Sequence, residues 1–87
     1  MAAVIEYHAS FASTVRRCPE EIREQLLEVF ERLQQAHPAL PASGDEAVAL
    51  PPLQLVVWRR RLAGTAWWLH YTVTVRGVMV RSIIRVE

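Results

Sequence analysis

Residues 58–85 read WRRRLAGTAWWLHYTVTVRGVMVRSIIR, three consecutive arginines and two consecutive tryptophans inside a stretch rich in Val, Ile, Trp, Tyr and Thr. Residues of that kind suit a pleated surface, and Ala63-Gly64-Thr65 and Arg76-Gly77 punctuate the stretch at hairpin spacing. The pattern predicts three antiparallel strands over 54–62, 67–74 and 78–86. A strand that only roofed a core would set polar residues singly on its wet face. The density of guanidinium, indole and imidazole here therefore marks a surface that meets a partner.

Period-two alternation sorts these side chains. In the middle strand Trp67, Leu69, Tyr71 and Val73 form the apolar set, leaving Trp68, His70, Thr72 and Thr74 opposite. Arg59 and Arg61 share parity with Val57, whereas Arg60 falls on the other face and needs a rim to escape burial as an unpaired charge. In the last strand Val78, Val80, Ile84 and Val86 make the more apolar face, which sends Arg81 and Arg85 to the polar one. The expectation is a single face gathering Arg59, Arg61, Trp68, His70, Arg81 and Arg85.

Upstream, Ala3 to His8 alternate weakly and read as a first short strand. Ser10 is expected to cap a short helix running to about Cys18. Cys18-Pro19-Glu20-Glu21 is a stop followed by a fresh start, since proline and acidic residues suit a first helical turn. In the second helix Ile22, Leu26, Leu27, Val29, Phe30 and Leu33 repeat with a 3.6-residue period and mark its buried face. From Ala36 to Pro52, the prolines at 38, 41, 51 and 52 with Gly44, Asp45 and Glu46 predict a long surface connection. The sum is an α+β domain over residues 1–87, a helical hairpin on one face of a small, mainly antiparallel four-stranded sheet in the order β-α-α-β-β-β.

Composition bounds the function. Eighty-seven residues form one domain able to bury roughly 60–65% of its unfolded surface. One cysteine excludes an internal disulfide and a multi-cysteine zinc site, and the three scattered histidines lack metal-site spacing, so neither metal nor cofactor is expected. With no long apolar run and no basic start followed by one, the chain is expected to be cytoplasmic, with no membrane partner. The formal charge of +1 hides an asymmetry: residues 1–50 carry four Arg against eight Asp or Glu, and residues 51–87 six Arg against Glu87 alone. All ten basic residues are arginine, whose planar fork suits phosphate.

The helical hairpin broken at Cys18-Pro19, the run EEIREQLLEVFERL at 20–33, and a basic alternating strand followed by aromatic, Leu, Tyr and Val together resemble the RelE/ParE superfamily of bacterial toxins. The resemblance spans nearly the whole chain and is nearer the RelE-like branch. It implies a metal-independent endoribonuclease that cuts mRNA on the ribosome and is held by a cognate antitoxin, with a gyrase-inhibiting ParE-like activity as the alternative. Arg59 and Arg61 fall where RelE-like toxins carry two basic active-site residues. Trp68 stands in place of an arginine, and the sequence ends at Glu87, before the C-terminal arginine and tyrosine that usually complete the set, so catalysis and non-catalytic inhibition both stay open. Some relatives employ histidine as an acid or base, which singles out His70. A gapless match to the family would set Arg81 and Arg85 on the helix side instead, but burying two guanidinium groups is expensive, so polarity decides the register. The resemblance and the polar face together single out His70, Arg59, Arg61 and Arg81 as catalytic candidates. Nucleic-acid contacts are expected from Arg59, Arg61, Trp68, Arg81 and Arg85.

Overall fold

The computed structural model describes residues 3–50 and 55–86, arranged as β1 (Val4–Tyr7), α1 (Ala9–Val15), α2 (Glu20–Ala36), β2 (Glu46–Leu50), β3 (Leu55–Arg61), β4 (Trp67–Val73) and β5 (Gly77–Arg85). The strands form one sheet in the order β1-β5-β4-β3-β2, with β1 parallel to β5 and every other pair antiparallel. The fold class is as the periodicities predict, but the sheet has five strands. The fifth is β2, which lies inside the stretch expected to be a surface connection. The run Glu46-Ala-Val-Ala-Leu50 is short and bordered by Asp45 and Pro51, so turn chemistry masks its strand character.

One layer of helices covers one face of the sheet. Ile22, Leu26, Phe30 and Leu33 of α2 and Phe11 of α1 pack with Leu62, Leu69, Tyr71, Val78, Val80 and Ile83. Leu27 departs from the expected buried stripe and is 69% exposed. Cys18 sits in this core, where burial raises its thiol pKa against the smaller opposing pull of Arg23. The helix over Ala9–Val15 is capped by His8, whose ring Nδ1 accepts from the Ser10 amide, so the cap lies two residues before the expected Ser10. The Ser10 hydroxyl is used elsewhere, donating to the Arg81 carbonyl at 2.6 Å.

That last bond marks an irregularity that decides the faces of β5. His70 pairs with Ser82 but Tyr71 pairs with Val80, so Arg81 is an extra residue in the ladder, a β-bulge. Beyond it the alternation inverts: Ile83 is buried at 1% and Ile84 is 42% exposed. The expected buried set of Val78, Val80, Ile84 and Val86 is therefore corrected to Val78, Val80 and Ile83. Two hydroxyls of α1 hold the bulge, Ser10 at the Arg81 carbonyl and Thr14 Oγ1, which accepts from the Ile83 amide at 3.1 Å.

Candidate functional site on the open sheet face

The face away from the helices is built as rows of cross-strand neighbours. Residues directly opposite each other in antiparallel strands share a face. Glu46 lies opposite Arg59, Arg59 opposite His70, and His70 opposite Ser82, so one row crosses four strands. A second row runs Arg61, Trp68, Ile84. Arg81 joins this face at the bulge, its Nη1 3.9 Å from Met79 Sδ. Arg59, Arg61, Trp68, His70 and Arg81 thus come together as expected.

Arg85 does not join them. It pairs with Trp67, on the same face as buried Ile83 and on the helix side, because the bulge inverts the strand after Arg81. Ile84 takes the place expected for an arginine. The face is accordingly less basic and more apolar at its Trp68 end than the regular alternation implies.

Arg59 is the most engaged cation of the group. Its Nε donates to Glu46 Oε2 at 2.9 Å and its Nη2 to the same oxygen, while its guanidinium carbon lies 4.5 Å from the centroid of the Trp68 ring. The indole is therefore a cation–π partner of Arg59 on one side, rather than a bare stacking platform. Arg61 donates from Nε to the Thr65 carbonyl at 2.7 Å, which fixes its stem at the β3–β4 turn. Gly64 makes that turn possible with φ of 75°, a conformation costly to residues with a Cβ.

His70 is half-buried at the centre of the four-strand row, and its Nδ1 is buried without a hydrogen-bond partner among the described residues. Burial lowers its pKa below the ordinary imidazole value, and the Arg59 charge lowers it further. Both causes act against imidazolium, so His70 is neutral near pH 7. A neutral imidazole beside guanidinium groups can exchange a proton with a bound hydroxyl, which arginine cannot do.

Arg60, expected to need a rim, finds a buried partner. On the helix side its Nε and Nη2 donate to the two carboxylate oxygens of Asp45, each at 2.9 Å, with side-chain exposures of 18% and 3%. Asp45 Oδ2 also accepts from the Tyr71 hydroxyl and from the Ala42 amide. Burial would raise the Asp45 pKa, but the bonds from Arg60 and Tyr71 outweigh it and the carboxyl is held below its usual range. Sequence reasoning misses Asp45 and Glu46 alike. The signal available is a pair of carboxylates immediately before a short Ala/Val run, facing a strand with three arginines.

His8 caps α1, and His37 Nε2 lies 2.8 Å from the Thr74 carbonyl, so neither belongs to the open face. Among the described residues no group of three or more His, Cys, Asp or Glu could hold a metal ion, and no helix is long and apolar enough to cross a membrane.

No protein-family model matches the chain, and no curated protein matches it. Among solved structures, the fold is similar to that in the crystal structure of the RelB-RelE antitoxin-toxin complex from Methanococcus jannaschii, with a TM-score of 0.64 and 12% sequence identity over 92% of this chain and 88% of that one. At this identity the likeness is one of fold alone.

Proposed function

We propose that the chain is a RelE-like toxin whose open sheet face engages messenger RNA on the ribosome and cleaves it without a metal. The observation that carries the reading is the convergence of Arg59, Arg61 and Arg81 around half-buried His70 on one face of a RelE-like fold. Cleavage of RNA requires the 2′-hydroxyl to lose a proton, the phosphorane charge to be stabilised and the leaving oxygen to gain a proton. His70 takes the first proton as a neutral imidazole, and water supplies the proton that the leaving 5′-oxygen gains. Arg59, Arg61 and Arg81 supply fixed positive charge to the phosphate as negative charge develops on it. Trp68 and Ile84 offer apolar surface to a base beside that phosphate. Arg85, at the helix side of the β5 end, contributes at most to the longer-range field.

A cognate antitoxin belongs to this reading because the similar solved chain stands in an antitoxin-toxin complex. Its apolar side chains would enter the groove of about 350 Å³ on the helical hairpin, lined by Tyr7, Phe11, Leu26, Leu27 and Phe30. A second reading, a non-catalytic inhibitor of gyrase or another nucleic-acid machine, is favoured by one observation: the Arg59 guanidinium is already engaged by Glu46 and Trp68.

Induction of the protein in bacterial cells, followed by transcriptome-wide mapping of RNA 5′ ends, tests the proposal. Translation-dependent cuts, abolished by His70→Gln and by Arg61→Ala, are expected. Growth arrest without such cuts, together with inhibited supercoiling by purified gyrase, would transfer the assignment to the second reading.

A further inference from the structure

Asp45, just before β2, and Glu46, its first residue, face the neighbouring arginines Arg60 and Arg59 near the end of β3, yet the two pairs differ in kind. Asp45 and Arg60 are enclosed, with both carboxylate oxygens used and Tyr71 and Ala42 adding bonds. Glu46 and Arg59 lie on the open face with side-chain exposures of 51% and 35%, and both Arg59 bonds converge on the same carboxylate oxygen. Water reaches both partners, so this pair is screened and readily exchanged, whereas the enclosed one is locked.

We infer that Glu46 is a built-in competitor for anions at Arg59, occupying the guanidinium edge that a phosphate group would take. This rests on the proposal that the open face binds nucleic-acid phosphate. A guanidinium grips phosphate through two parallel N–H groups along one edge. The Nε/Nη2 edge of Arg59 is filled by Glu46 Oε2, and Trp68 lies against the guanidinium face. A phosphate must therefore displace the carboxylate or accept a poorer approach. Glu46 thus sets how strong an anion the face admits: isolated phosphates compete poorly, while a polyanion anchored at Arg61 and Arg81 displaces the carboxylate at high local concentration.

The test uses the full chain with two probes, inorganic phosphate and a fluorescently labelled single-stranded RNA oligonucleotide. Phosphate is followed by NMR at the Arg59 Nε–H resonance, RNA by fluorescence anisotropy. Glu46→Gln, and Glu46→Thr as a strand-compatible second variant, should tighten both by roughly twofold to fivefold, the size of an exposed ion pair. Glu28→Gln, the same charge change on the exposed face of α2, should leave phosphate binding at Arg59 unchanged. In an Arg59→Ala background the RNA gain from Glu46→Gln should vanish. Unchanged phosphate affinity in both Glu46 variants, or an RNA gain that persists without Arg59, would overturn the inference. Tighter phosphate binding with no RNA binding in any variant would retain the role of Glu46 and overturn the nucleic-acid reading.

Discussion

Asp45 grips Arg60 through two parallel bonds of 2.9 Å, and this pair ties the loop before β2 to the helix side of β3. Removing one member of a buried pair leaves the other charge unsolvated, which costs about 3–5 kcal/mol. Asp45→Ala should therefore lower unfolding free energy by about that amount in urea denaturation at pH 7, with Tyr71→Phe costing about 1 kcal/mol for the hydrogen bond it removes. The pH dependence has a definite sign. The folded-state pKa of Asp45 is depressed, so its stabilisation is fully present above the unfolded value near 3.9 and is lost as pH falls through the folded value. The gap between wild type and Asp45→Asn should shrink in acid, and a gap constant down to pH 2 would contradict the assignment.

Gly77 opens β5 opposite Val4, and a Cβ built there would lie 2.0 Å from the Val4 carbonyl oxygen. Backbone cannot give way as a flexible side chain can, so Gly77→Ala should detach β1 from the sheet and cost about 3 kcal/mol. Gly64 makes the comparison: its Cβ would meet open space, and Gly64→Ala bears only the left-handed backbone cost of about 1–2 kcal/mol. Hydrogen exchange of the β1 amides separates the two, accelerating in Gly77→Ala alone.

These elements also show what the sequence can and cannot convey. Alternation through β3 and β4 is regular, so the faces of Arg59, Arg60, Arg61, Trp68 and His70 follow from parity alone. The second helix follows from its 3.6-residue period, except at Leu27, which keeps the period yet lines the open groove beside Tyr7 and Phe11. Parity misplaces Arg85 because a one-residue bulge flips every later side chain, and nothing in Val80-Arg81-Ser82-Ile83-Ile84 announces it. The bulge is fixed by Ser10 and Thr14, residues 71 and 69 positions away in the chain. The strand β2 is hidden in the same way: its pairing with β3 is a long-range fact, and its residues alone read as a loop.

The bulged register of β5 separates the arginines by their expected contribution to RNA binding. Removing one arginine from a phosphate should reduce the slope of log K against log salt by about 0.7 for a single strand. Arg61→Ala and Arg81→Ala should each show that reduction in anisotropy titrations across a salt series. Arg85→Ala, altering a residue on the helix side, should weaken binding less and change the slope by under half as much. Equal slopes for all three variants would mean that the field of the whole molecule, rather than the open face, holds the RNA.

His70 gives the sharpest prediction because stability and activity respond to it in different ways. Its folded-state pKa lies below the unfolded value near 6.5, owing first to burial and then to Arg59. Between those two values the unfolded chain binds a proton that the folded chain refuses, so folding stability should fall as pH drops below about 6.5. His70→Gln removes the titrating group and should abolish that segment of the stability profile. A neutral imidazole at pH 7 is also what a general base requires, and the same substitution should reduce RNA cleavage by roughly 10²- to 10⁴-fold while leaving affinity for a non-cleavable 2′-deoxy oligonucleotide within about twofold. The imidazole Hε1 resonance of wild type should titrate below 6.5 in NMR and move upward in Arg59→Ala, since one of the two lowering causes is then gone. If His70→Gln cleaves at the parental rate while the NMR shift behaves as described, His70 is a half-buried neutral spacer in the four-strand row, and catalysis rests on Arg59, Arg61 and Arg81.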